Sequence, residues 1–118
     1  MTQHNLHTLS ASTISGDNVK NSQGEDLGHI EDLMIDLASG RVSYAVLSFG
    51  GFLGMGNKLF AIPWQAFSLD AENKEFILNV SKEKLENAPG FDKDHWPNMA
   101  DREWGSEIHR YYDFEPYW

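Results

Sequence analysis

Glycines 50, 51, 54 and 56, followed at once by Asn57 and Lys58, make FGGFLGMGNK the stretch closest to a phosphate-binding loop. A loop of the G-x-x-x-x-G-K-[ST] type cradles phosphate on backbone N–H groups, while its lysine and hydroxyl reach the terminal phosphate and the metal. Gly51 and Gly56 have that spacing, but Asn57 stands in the lysine position and Lys58 in the hydroxyl position. The dinucleotide pattern G-x-G-x-x-G fails as well, because Gly54 and Gly56 are followed by Leu59. Both motifs open a helix whose N-terminus binds the anion, whereas KLFAIPW reads as a strand. The stretch is therefore expected to be a glycine-flexible hairpin loop presenting Phe52, Leu53 and Met55.

The remaining candidates for chemistry are histidines and carboxylates. A catalytic zinc takes three protein ligands held rigidly by the fold and by supporting hydrogen bonds. The histidines stand at 4, 7, 29, 95 and 109, and no pair shares a predicted rigid element with a carboxylate at ligand spacing. No metal and no cofactor is assigned. His29 reads as a half-buried strand residue, His95 and His109 as packing among aromatic rings. Carboxylates recur as Asp32/Asp36 and Glu103/Glu107. Acid–base catalysis needs one carboxyl raised by burial and its neighbour left low. Asp36 instead precedes Ala-Ser-Gly, where an acceptor side chain holds a turn backbone. Glu107 lies three residues before Arg110, at the spacing of an ordinary helical ion pair. No serine has a nucleophile-elbow context, so no catalytic residue is assigned.

Composition narrows the classes further. The 118 residues include 18 Asp and Glu against 9 Lys and Arg, a net charge of −9. So acidic a surface repels phosphate backbones and anionic lipid, which argues against nucleic acid and membrane and favours basic proteins or basic patches as partners. Hydrophobic residues at 41% and aromatics at 13% belong to a folded chain, and the length suits one domain. Cysteine is absent, which removes disulfides and thiolate metal sites and fits a reducing cytoplasm. MTQHNLHTLSAST has no basic n-region and no apolar h-region, so a secretory signal is not expected. The longest uncharged run, Val42 to Asn57, is shorter than the ~20 apolar residues a spanning helix needs. A soluble, cytoplasmic protein is expected.

Residues 1–9 read as a polar leader, 10–90 as the folded domain and 91–118 as an aromatic extension. From Ser10 to Val80 short strands alternate with turn residues, and NVKNSQG (18–24) reads as a turn-rich connection. In DLGHIEDLMIDL the apolar positions run 30, 33, 35 and 37. The odd step after Ile30 reverses the period-2 phase and predicts a β-bulge near Glu31-Asp32. Ala38-Ser39-Gly40 predicts a hairpin turn. VSYAVLSF (42–49) is apolar on both faces and predicts a central strand. KLFAIPW (58–64) predicts a strand in which Pro63, near the end, implies an edge or exit position, and 67–69 pairs with 75–80 around DAENK. Strand upon strand without a long helix closes most simply into a small antiparallel barrel. Its expected core is Ile30, Leu33, Ile35, Val42, Tyr44, Val46, Leu47, Ile62, Phe76 and Leu78. SKEKLENAPG, capped by Ser81 and stopped by Pro-Gly, predicts a short helix. Of 7 Phe, 4 Trp and 4 Tyr, eight fall beyond residue 90. Trp104, Ile108 and Tyr111 predict a helix within 100–112 whose apolar stripe packs on the barrel or on a neighbouring copy.

Gly16 and Val19, Gly24, Leu27-Gly28-His29-Ile30, Asp32, Ile35-Asp36, Gly40-Arg41-Val42, Tyr44-Ala45-Val46 and Ala61-Ile62-Pro63-Trp64 together resemble the PRC-barrel family over roughly residues 10–90. The resemblance implies a small β-barrel. It also implies a docking role without catalysis, as in the photosynthetic reaction centre H subunit and a ribosomal small-subunit maturation factor. The chain looks like a stand-alone bacterial member, and fold is better fixed by such a likeness than function. The expected function is a non-enzymatic protein–protein adaptor, with a stress response as one setting, and the simplest partner is a second copy in a homodimer. The competing reading is a small-ligand barrel or a hydrolase-like enzyme working through carboxylates. It needs convergent polar groups in a cavity, and a barrel this small is filled by its own side chains. The expected contact residues are Phe52, Leu53 and Met55 on the loop, with Trp104, Tyr111 and Trp118 in the extension.

Overall fold

The doubly apolar run at 42–49 sets the frame. In the computed structural model, which describes residues 9–50, 57–70 and 75–118, β3 (Arg41–Gly50) is buried from Tyr44 to Phe49. It pairs antiparallel with β2 (Asp26–Asp36) on one side and β4 (Asn57–Pro63) on the other. β4 is an outer strand, one of the two placements that Pro63 near its end implies. Phe91 covers part of its free edge: the Leu59 N–H donates to the Phe91 carbonyl at 3.0 Å, and the Phe91 N–H to the Leu59 carbonyl at 2.8 Å. A 3-10 turn at Trp64–Ala66 leads into β5 (Phe67–Asp70), which pairs with β6 (Glu75–Leu78) as expected.

Two local features of β2 follow the sequence. The predicted bulge appears as a register shift between Ile30 and Asp32. The β2–β3 turn closes with Gly40 at φ 76°, its N–H donating to the Asp36 carbonyl at 2.7 Å. The Asp36 carboxylate accepts the Ala38 N–H at 3.0 Å, the turn-holding role expected of it.

The sheet departs from an antiparallel barrel at β1 (Asn18–Lys20). Strand order is β4-β3-β2-β1-β6-β5, with β1 antiparallel to β2 but parallel to β6. Among the described residues β4 and β5 do not pair, so the mixed sheet forms a half-barrel. The strand lies inside NVKNSQG, whose single apolar residue carries no period, yet Val19 is wholly buried. The turn chemistry belongs to the residues after it. Asn21 is buried, and its side-chain oxygen accepts the Gln23 and Glu25 N–H groups at 3.1 and 2.9 Å. Its amide donates to the Glu25 carboxylate at 2.7 Å and the Val80 carbonyl at 3.1 Å, so every polar atom of the side chain is satisfied. Residues 11–14, expected as strand, form a helical turn instead. In this α1 (Ala11–Ile14) the Ser10 hydroxyl caps by accepting the Thr13 N–H at 3.1 Å, and serine is among the residues preferred at that position.

Ile30, Tyr44, Val46, Leu47, Ile62, Phe76 and Leu78 are buried as expected. Leu33 and Val42 are only half-buried, and Ile35 is exposed. For Ile35 and Val42, which pair across the strands, the cause is a second register shift, between Met34 and Ile35, which turns β2 once more just before the hairpin. α2 (Lys82–Glu86) begins at the predicted Ser81 cap, whose hydroxyl accepts the Lys84 N–H at 3.0 Å. α3 (Arg102–Tyr111) is capped by the Asp101 carboxylate, which accepts the Glu103 N–H at 2.9 Å. Its inner face buries Gly105, Ile108 and His109, with Trp104 and Tyr111 half-buried beside them. His109 packs edge-on to Tyr44 and Trp118, as its aromatic neighbours imply. His95 does not: it is exposed, 3.5 Å from Asp92, because the chain around it forms an open turn. The Glu107–Arg110 ion pair is also absent among the described residues, both side chains standing in solvent where screening makes such a pair weak.

Candidate functional site

Three segments distant in sequence meet at one end of the half-barrel. The β2–β3 turn and the end of β2 contribute Met34 to Ala38, the segment leading into α3 contributes Asn98, Met99, Ala100 and Arg102, and Tyr117 and Trp118 close the third side. Together with Ser43 and Tyr44 on β3 they bound an open groove of about 590 Å³. The second bulge of β2 places both Met34 and Ile35 on its lining, although adjacent residues of a regular strand face opposite ways.

One short hydrogen bond fastens the third side to the first. The Tyr117 hydroxyl donates to the Asp36 carboxylate at 2.5 Å, and Arg41 lies 4.5 Å over the Tyr117 ring. The Tyr117 hydrogen bond, followed by the Ala38 N–H, holds the Asp36 carboxyl below its usual range. Burial pushes the Tyr117 hydroxyl up, with the Asp36 hydrogen bond adding to it. Upstream, the Gln65 amide donates to the Glu115 carbonyl at 2.8 Å and steadies the approach of this segment.

Trp118 rests on α3 where the helix has no side chain. A Cβ on Gly105 would stand 2.6 Å from the Tyr44 hydroxyl and 2.7 Å from the Trp118 ring, so glycine is what lets both approach. Arg102 lies 5.6 Å from the centre of the Trp118 ring. Burial pushes the Tyr44 hydroxyl up to about 12, with Tyr117 contributing, and this oxygen has no hydrogen-bond partner. It is a neutral group in every ordinary buffer.

Among the groove's lining side chains the one carboxylate, Asp36, is held low, opposite to a general acid. Asp32, Glu103 and Glu107 stand in solvent outside the groove. Among the described residues no three His, Asp or Glu side chains converge on one point. None of the described helices is long and apolar enough to cross a membrane.

Of the expected contact residues, Trp118 lies in the groove. Trp104 is half-buried edge-on to Tyr44, at 5.3 Å between ring centres. Tyr111 is turned toward α2, its hydroxyl donating to the Lys84 carbonyl at 2.6 Å. Phe52, Leu53 and Met55 lie outside the described residues. Sequence reasoning missed Ile35, assigned to the core, and also Met34, Leu37, Met99 and Tyr117. A signal did exist for Leu37: a large aliphatic residue next to a tight turn has nowhere to be buried.

The model of the PRC-barrel domain matches residues 7–85. The chain belongs to the PRC-barrel family. Among solved structures, this PRC-barrel chain is similar to a Pseudomonas aeruginosa protein assigned as a 16S ribosomal RNA processing protein, RimM. The two share 17% identity with a TM-score of 0.43 over 70% of this chain and 50% of that one. The PRC-barrel chain thus spans about half the length of that protein. No curated protein sequence matches it significantly. Two of the groove's three sides, at 98–102 and 117–118, fall beyond the segment that matches the family.

Proposed function

We propose that this chain is a non-enzymatic docking module whose contact face is the groove at the β2–β3 turn, built jointly by the barrel domain and the 91–118 extension. One observation carries the reading: Leu37 is 91% exposed, Ile35 47% and Trp118 38%, and all three line the same groove. Single exposed apolar residues are ordinary, but several around one concavity mark a site of association. Met34 and Met99 beside them adapt readily to an incoming shape. A docking role is also what the family likeness implies.

The test is site-specific photo-cross-linking in the native host. A photoreactive amino acid at position 37 should give discrete protein adducts, and the same group at position 107, exposed on α3, should give none. Position 37 yielding no adduct beyond that background would refute the docking reading.

A further inference from the structure

Beside the groove, and sharing Ser43 and Tyr117 with it, lies a smaller cleft of about 290 Å³. Arg41 and Ser43 of β3, Trp64 and Gln65 of the 3-10 turn, and His109 and Tyr117 of the extension bound it. We propose that this cleft binds a small aromatic hydroxy acid, with the carboxylate on Arg41, the hydroxyl on His109 and the ring against Trp64. The site stands apart from the docking reading, whose exposed residues Ile35, Leu37 and Trp118 line the groove and not the cleft.

Most polar groups of the cleft are already engaged within the chain. The Ser43 hydroxyl donates to the Met34 carbonyl at 3.0 Å, the Gln65 amide to the Glu115 carbonyl at 2.8 Å, and the Tyr117 hydroxyl to the Asp36 carboxylate. Two groups remain. His109 is 1% exposed, and its Nδ1 meets the Gly105 carbonyl at 2.8 Å. A carbonyl only accepts, so Nδ1 carries the proton and Nε2 of the neutral ring presents a lone pair. Nε2 has no partner among the described residues. The side-chain atoms there that are both sealed from solvent and unpartnered are the Tyr44 and Tyr112 hydroxyls, so Nε2 opens onto the cleft that its residue lines. The ring is held edge-on by Tyr44 and Trp118, which aims this acceptor in advance at a ligand's O–H.

Arg41 is the second group. Its guanidinium lies 4.5 Å over the Tyr117 ring and has no carboxylate within ion-pair distance among the described residues. The chain carries 18 acidic residues, yet among the described residues none lines the cleft. An acidic protein thus keeps a carboxylate-free wall around a guanidinium, whose fork of donors fits a carboxylate in bidentate fashion. The rest of the wall is aromatic: the Tyr117 ring and Trp64, itself packed on Phe67 and Phe76. The volume lies at the lower end of the ~300–1,000 Å³ of ligand clefts, which suits a molecule of one ring and not a peptide. An anionic group, a donor and a flat apolar body together describe an aromatic hydroxy acid.

Titration of the isotope-labelled full chain with 4-hydroxybenzoate, benzoate and 4-hydroxybenzamide tests the proposal, read by NMR at the His109 ring nitrogens and the Trp64 indole N–H. 4-Hydroxybenzoate should shift both signals saturably. Benzoate lacks the donor and should bind roughly fivefold more weakly, the effect of one neutral hydrogen bond. 4-Hydroxybenzamide lacks the charge, and it should bind wild type roughly tenfold more weakly or worse, as should 4-hydroxybenzoate the Arg41→Gln variant. Arg41 is exposed, so that variant should keep the wild-type circular dichroism. Arg102→Gln, in the groove and not the cleft, should leave binding unchanged. No saturable shift at His109 with millimolar 4-hydroxybenzoate overturns the inference. So does equal binding of all three probes, or affinity that Arg41→Gln leaves intact. Shifts gathered on residues 34–38 instead would give the ligand to the groove and refute this site.

Discussion

Replacing Gly28 with alanine tests how tightly β2 and β3 are fitted. Gly28 has φ +102°, and an added Cβ would stand 2.0 Å from the Ser48 carbonyl oxygen and 3.2 Å from the Phe49 Cα. The conformational part of the penalty is ~1–2 kcal/mol for a residue with a Cβ. The contact part is larger, because the two atoms must separate by roughly another ångström to reach ordinary van der Waals distance. Ser48 cannot yield alone: it is held between His29 of β2 and Leu59 of β4. Moving it strains two ladders, each hydrogen bond being worth about 1 kcal/mol net. The sum is about 3–4 kcal/mol, a large part of the ~5–15 kcal/mol a small domain possesses. Gly24→Ala supplies the control, since Gly24 has φ +83° but nothing within 4 Å of the added atom. It should cost only the conformational ~1–2 kcal/mol. Equilibrium urea unfolding followed by circular dichroism gives both values. If they agree within about 1 kcal/mol, the close approach of Gly28 to Ser48 is not what fixes glycine there.

Two further substitutions probe polar groups. Asn21→Ala removes four hydrogen bonds and leaves the Val80 carbonyl without its side-chain donor, so it should cost ~2–3 kcal/mol. Asn21→Asp should cost at least as much, since a carboxylate would face the Glu25 carboxylate. Urea midpoints near wild type for both would refute this role. Tyr117→Phe should destabilise the protein between two pH limits. The Asp36 carboxyl is lowered from 3.8, so its share is present above that value and lost as pH falls through the folded value. The Tyr117 hydroxyl is raised from 10.0, so its share is present below that value and lost as pH rises through the folded value. Thermal melts of both proteins across pH should show the difference vanishing in acid; an undiminished difference far below 3.8 would exclude the Asp36 bond as its source.

Features set by neighbouring residues were legible in the sequence. The doubly apolar run made β3, the odd step after Ile30 made a bulge, and Ser81 began α2. The register shift at Met34-Ile35 left no trace, because apolar positions at 33, 35 and 37 read equally well as one unbroken strand face. β1 was missed for a different reason. Val19 is buried by strands paired on both its sides, and no local pattern announces a three-residue strand. The groove was invisible because its sides come from residues 34–38, 98–102 and 117–118, joined only by the tertiary fold. Trp118 was found by its type alone. Leu37 needed the turn and the groove together.

The parallel seam at β1 has a consequence for how the chain acquires its fold. Among the described residues the β2–β3–β4 meander and the β5–β6 hairpin are joined within the sheet only through Val19 and Lys20, which pair with Phe76 and Ile77. Meander and hairpin are each built from contacts close in sequence, which form quickly, whereas the seam joins the beginning of the domain to its far end. During synthesis the meander is complete while β6 is still to be made, and Val19 must wait for Phe76. Contact order thus favours two local units forming first, joined afterwards by the seam and by the core they share. A seam made late predicts that the sheet first opens along the same line, which hydrogen exchange at the β1 and β6 amides would show as the lowest protection in the sheet.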